Sequence, residues 1–123
     1  MSKQHNLLDS FGFAFAGIRQ AVLSSRNLKI HLLAALTVIF AGLIFQVSPF
    51  EWIILFILIG LVISAEIINS AIEETCNVYD EKLQLPYGTT KIPRNMAAGA
   101  VLILATMAAI VGLAIFIPKI FFS

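Results

Sequence analysis

The chain has 123 residues, of which 59% are hydrophobic and only 12% charged, and its mean hydropathy is +0.95. A soluble domain this small could not cover so much apolar surface, so the chain reads as one integral membrane domain with no room for a separate soluble catalytic module. Its net charge of +1 gives no reason to expect nucleic acid as a partner. The single cysteine, Cys76, cannot form an internal disulfide.

In chain order, residues 1 to 6 are polar and expected to fray. His5 lies there and is assigned no role. The first dozen residues mix polar groups with Phe and show no pattern of a cleaved signal peptide. From Leu7 to Ser25, the residues Leu7, Leu8, Phe11, Phe15, Ile18 and Val22 recur at helical spacing. Asp9 or Ser10 can cap the start. With Arg19 and Arg26, residues 7–25 predict an amphipathic helix lying in the membrane surface.

A first transmembrane span is expected over 29–47. His31 to Val47 is 17 residues without a formal charge, near the lower limit for crossing. Lys29 can snorkel at its start. His31 has no second histidine at ligand spacing, so it reads as an interfacial or hydrogen-bonding residue rather than a metal ligand. Pro49 breaks the first span and can sit in the first turn of the next. Trp52 suits a headgroup boundary. The second span is expected over 50–77, and 78–95 as a polar loop with breaks at Pro86, Gly88 and Pro93. The third is expected over 96–118, since Met96 to Ile117 is 22 uncharged residues. Its many Ala and Gly residues permit close helix contact. Pro118 and Lys119 are expected to end it.

The second span carries the chemistry. Glu66, Asn69, Ser70, Glu73 and Asn77 are spaced to form one polar stripe on a helix otherwise made of Ile and Ala. If Trp52 marks one boundary, Glu73 falls near the other and Glu66 lies about 10 Å beneath it. A carboxylate at that depth is costly and should face protein, water, a metal or a substrate rather than lipid. Ser70 and Asn69 also fit a plainer role in joining helices. That role explains Glu66 poorly.

Orientation follows from the basic residues. Lys3, Arg19, Arg26 and Lys29 precede the first span, and Lys82, Lys91 and Arg94 lie between the second and third. Seven of the eight thus share one side, which is expected to be cytoplasmic, with the N-terminus inside. The Glu73 end of the stripe then opens to the side where nucleotides are present. Glu73 could hold a divalent cation carrying phosphates, because hard cations take oxygen ligands. Glu66 could accept a proton from an alcohol held at the membrane surface. Asn69 could orient either, and Lys91 and Arg94 could meet phosphate. No P-loop and no protein-kinase signature is present.

These residues resemble the small membrane-embedded prokaryotic diacylglycerol and undecaprenol kinases. The resemblance covers nearly the whole chain. It rests on Phe11 to Gly17, Arg26-Asn27-Leu28-Lys29-Ile30-His31, Glu51-Trp52, Glu66-Ile67-Ile68-Asn69-Ser70-Ala71-Ile72-Glu73 and Ala97-Ala98-Gly99-Ala100-Val101-Leu102. It implies an all-α membrane fold of a surface helix and three transmembrane helices, assembled as a homotrimer with active sites between subunits in the bacterial cytoplasmic membrane. It also implies phosphorylation of a lipid alcohol, undecaprenol or diacylglycerol, with ATP and Mg²⁺. By the same resemblance Glu66 is the catalytic base, Asn69 supports it, and Glu73 is a metal ligand. Lys91, Arg94, Asn95 and Asn77 fall on the nucleotide side.

The chain departs from the family pattern at several of these positions. Ser25 stands where a second metal-binding glutamate is usual, Asn77 where an aspartate is usual, and Pro93-Arg94-Asn95 where Ala-Lys-Asp is usual. Three readings therefore stand side by side. They are a lipid or prenol kinase with an altered nucleotide site, a catalytically weakened relative that binds lipid or nucleotide, and a small oligomeric transporter or structural membrane protein.

Overall fold

The computed structural model describes residues 6–122, and His5 and Lys3 lie outside the described residues. It is all-helical, with α1 (Leu7–Ser24), α2 (Arg26–Ile44), α3 (Pro49–Leu83) and α4 (Lys91–Phe121). Three of these, α2, α3 and α4, are long and apolar enough to cross a membrane. Helix α3 packs along α4 and against α2, and α1 touches both α2 and α3.

The start of α1 differs from expectation. Asn6 caps it, not Asp9 or Ser10. Asn6 Oδ1 accepts the Asp9 backbone N–H at 2.8 Å, and Asp9 returns a carboxylate to the Asn6 N–H at 3.4 Å. Asp9 is the third residue of a reciprocal cap, which satisfies two otherwise orphaned donors. Ser25 is the non-helical joint after α1. Its Oγ accepts the Leu28 N–H at 3.1 Å and so caps α2.

The α2–α3 connection is short. Gln46 adopts a left-handed backbone, φ 52°, and Val47 turns inward. Ser48 and Glu51 form a second reciprocal cap, with Pro49 in the first turn of α3. Trp52 lies over Gly42 of α2 so closely that an added Cβ would come within 2.5 Å of the indole. This close approach is what requires glycine there. The ring also stacks on Phe56 at 5.5 Å. Around it Val47, Leu55 and Ile115 form a small core.

The expected loop over 78–95 is mostly helix. α3 runs on to Leu83, because Asp80, Glu81, Lys82 and Leu83 tolerate or favour a solvated helical turn. Gln84 ends it in the left-handed conformation at φ 50°. Pro93 breaks nothing: it is the third residue of α4, inside the first turn, where its missing N–H costs no helical bond. Pro118 does not end α4 either. The helix continues to Phe121, and Lys119 Nζ meets Glu51 Oε1 at 2.9 Å, tying the last turn of α4 to the first turn of α3.

Most large apolar side chains on these helices face outward, including Leu33, Phe40, Phe56, Ile103 and Ile110. Exposed apolar surface on this scale fits helices surrounded by lipid or by further protein, not by water.

Candidate active site

Glu66 and Asn69 are the two buried polar residues among those described, only 2% and 3% exposed. They sit on the face of α3 that meets the rest of the chain, because Val62, Glu66, Asn69 and Cys76 all turn inward along it. Asn69 lies between the two glutamates. Its Nδ2 donates to Glu73 Oε1 at 3.3 Å and makes a longer contact with Glu66 Oε1 at 3.5 Å. Its Oδ1 is buried with no partner. An orphaned buried acceptor is uncommon and costs free energy, which makes it a seat for an incoming donor.

From α2, His31 approaches the same carboxylate: its Nε2 is 3.7 Å from Glu66 Oε2. That is beyond hydrogen-bond length but within ion-pair range. His31 also lies at one end of an apolar cavity of about 150 Å³ between α2, α3 and α4, lined further by Ala35, Val38, Val62 and Ala105.

One turn below, a polar cavity opens where α1 meets α2. Ser25, Arg26, Asn27, Ser70, Glu73, Glu74 and Asn77 line it. Ser25 and Glu73, paired as metal positions from the sequence, therefore border one space. Among the described residues no three His, Cys, Asp or Glu gather as a ready metal cage. Two carboxylates with hydroxyl and amide oxygens still suit Mg²⁺, which is commonly held by one or two carboxylates together with substrate phosphates.

The four residues expected on the nucleotide side come together. Asn77, Lys91, Arg94 and Asn95 line one cavity at the α3–α4 turn, with Asp80, Tyr87 and Thr90. Arg94 is held firmly there. Its Nε donates to Thr90 Oγ1 at 2.9 Å, and its Nη2 to Asn77 Oδ1 at 2.9 Å and Asp80 Oδ2 at 3.2 Å. Thr90 in turn donates to Asp80 at 2.8 Å.

Sequence reasoning missed Asp80, Thr90, Glu74 and the contact of His31 with Glu66. Asp80 was findable, since it lies seven residues after Glu73 and continues the stripe by two turns. Ending the helix at Asn77 hid it. A contact from another helix, such as that of His31, leaves no trace in spacing.

Residues 12–116 match the family model described as prokaryotic diacylglycerol kinase. The chain is 38% identical over 111 residues to the undecaprenol kinase of Bacillus subtilis (strain 168), covering 90% of this chain and 88% of that one. It is 34% identical over 116 residues to a diacylglycerol kinase of Synechocystis sp. (strain ATCC 27184 / PCC 6803 / Kazusa), covering 94% of this chain and 65% of that one. No solved structure gives a significant match. The chain belongs to the prokaryotic diacylglycerol kinase family.

Proposed function

We propose that the protein is a membrane lipid kinase that transfers the γ-phosphate of ATP to a lipid alcohol at the cytoplasmic surface. The observation that carries this reading is the line of polar groups along α3. It starts at a buried carboxylate, Glu66, passes the unpartnered Asn69 Oδ1 and ends in the cavity that Arg94 borders. A lipid alcohol keeps its tail in the bilayer, whereas a nucleotide comes from water. A stripe running from the apolar interior to the helix end lets the two meet.

In this reading Glu66 takes the hydroxyl proton as general base. Asn69 Oδ1 accepts a hydrogen bond from the incoming hydroxyl and fixes its direction. Glu73, with Ser25, Glu74 and Asn77 around it, holds the divalent cation. Arg94, Lys91 and Asn95 receive phosphate oxygens, and Arg94 arrives pre-oriented by Thr90, Asn77 and Asp80. When bound, Mg²⁺ and the nucleotide supply the transferable phosphoryl group and neutralise its charge. The same reading includes assembly as a homotrimer in the bacterial inner membrane, with the N-terminus cytoplasmic. The outward apolar faces and the seven basic residues on one side support it.

Undecaprenol is the favoured alcohol. The relative named for it is more similar, at 38% identity, and this chain covers 88% of it. The test is purified protein with Mg²⁺ and γ-labelled ATP, offered undecaprenol and diacylglycerol side by side. Label is expected in the prenol phosphate. Label in diacylglycerol alone would reverse the substrate assignment. Label in neither would favour the weakened-relative reading, in which the chain binds lipid or nucleotide without turnover.

A further inference from the structure

Helices α2 and α4 both pack on α3, and between them lies the apolar cavity of about 150 Å³. The gap follows from the sequence. Four of its ten lining residues are alanine: Ala34 and Ala35 on α2, Ala105 and Ala108 on α4. A methyl group from each side is too short to fill the space, whereas protein interiors are close-packed. A void of this kind forfeits contact energy on its walls until something occupies it. Apolar space of this size also stays dry and takes up small hydrocarbon groups instead of water.

Its position points to one hydrocarbon group. Val62, on the cavity wall, shares a face of α3 with Glu66 and lies one turn from it, about 6 Å, on the side away from Glu73. His31 borders the cavity and also faces Glu66, with Nε2 3.7 Å from Oε2. A group in the cavity therefore sits next to the carboxylate, opposite the cation cavity. Ala34 is exposed, so the space is open on the α2 side and a chain can enter it sideways from lipid.

The wall chemistry separates two kinds of lipid alcohol. In a prenol the hydroxymethyl group is joined directly to a branched hydrocarbon unit. In a diacylglycerol it is joined to carbons that bear esters, so carbonyl oxygens follow within a few bonds. His31 is the one polar residue on this wall, and its Nε2 is turned to Glu66. An ester carbonyl pushed into the cavity would lose water without gaining a donor.

We propose that this cavity seats the first isoprene unit of a prenol whose hydroxyl lies at Glu66, and that Ala35, Ala105 and Ala108 set the preference for prenol over diacylglycerol. This rests on the lipid-kinase reading above. Small differences of hydrocarbon shape in an apolar pocket change selection by about 10- to 200-fold.

A farnesol analogue carrying a diazirine on its first isoprene unit tests this without nucleotide. It would be irradiated with wild type, Ala105→Leu and Ala108→Leu in detergent, and the adducts mapped by mass spectrometry. Undecaprenol or diacylglycerol in excess would serve as competitor. In wild type the adducts are expected on 34–38, 58–63 and 105–108, and only undecaprenol should displace them. Each leucine should cut these adducts about tenfold and raise the KM for undecaprenol about as much, with helical content unchanged. Displacement by both lipids alike would overturn the proposal. So would adducts confined to the outward-facing Leu33, Phe40 and Ile110, or cavity adducts that persist in both variants. No adduct on wild type would also overturn it and leave the gap to another copy of the chain. If the leucines unfold the protein, the wild-type map and its competition decide alone. Displaceable cavity adducts in a wild type that phosphorylates neither lipid would keep the isoprene seat and remove the lipid-kinase reading.

Discussion

Arg94 reaches back across the α3–α4 turn to Asp80, with Nη2 3.2 Å from Oδ2. Thr90 holds both ends of this link, giving a hydrogen bond to Asp80 and taking one from Arg94. The pair fixes a guanidinium at the rim of the cavity where phosphate is expected, and it couples the end of α3 to the start of α4.

Asp80→Asn should therefore loosen Arg94 without unfolding the protein. A partly exposed pair of this kind contributes about 0.2–1 kcal/mol, so the thermal midpoint in detergent should move little. The KM for ATP should rise roughly fivefold, because hydrogen bonds to charged groups do most to set their direction. An unchanged KM would mean that Arg94 does not meet the nucleotide.

Glu66→Gln should abolish lipid phosphorylation while leaving helical content by circular dichroism intact. Loss of a general base lowers rate by about 10²–10⁴-fold. A variant that keeps wild-type turnover would remove Glu66 from the mechanism.

The cation set makes a separate prediction. Glu73→Gln should raise the Mg²⁺ concentration needed for half-maximal activity, since one of two carboxylates bordering the Ser25 cavity is lost. Ser25→Glu combined with Asn77→Asp should lower it. Mg²⁺ titrations that superimpose for all three proteins would place the cation elsewhere.

The stripe of Glu66, Asn69, Glu73 and Asn77 was legible because each step is three or four residues, and three apolar runs announced three long helices. What was not legible depended on neighbours. Pro93 and Pro118 looked like stops by their own chemistry, yet one falls in the permissive first turn and the other is followed by a turn that Lys119 ties to Glu51. Asp80 and Thr90 lay in a stretch read as loop. The approach of His31 to Glu66 joins residues 35 positions apart on different helices, which no local period encodes.

Gly42→Val should be strongly felt for the same reason that Gly42 is there. The new side chain would drive into the Trp52 indole, and overpacking of this kind costs about 1–3 kcal/mol. The expected result is a lower unfolding midpoint in detergent, with kinase activity retained below it. An unchanged midpoint would mean that Trp52 readily leaves its place.

Orientation and assembly can be checked together. A cysteine at position 88, in a Cys76→Ser background, should react only with reagents reaching the cytoplasmic face. Native mass spectrometry of the same protein should show trimers. Labelling from outside would reverse the topology, and monomers alone would remove the homotrimer.

Helix α3 is one unbroken rod of 35 residues, about 50 Å long, that carries Glu66, Asn69, Glu73, Asn77 and Asp80 in one row. Such a rod works as a gauge of depth: its chemical groups cannot shift relative to one another, only together relative to the lipid. Hydrophobic mismatch between the rod and its host bilayer therefore becomes a kinetic variable. In membranes of longer acyl chains the whole row is drawn inward, away from dissolved nucleotide. In thinner ones it is lifted away from the buried alcohol. Turnover should accordingly peak at one bilayer thickness, with the optimum set by the distance from Trp52 to Glu66.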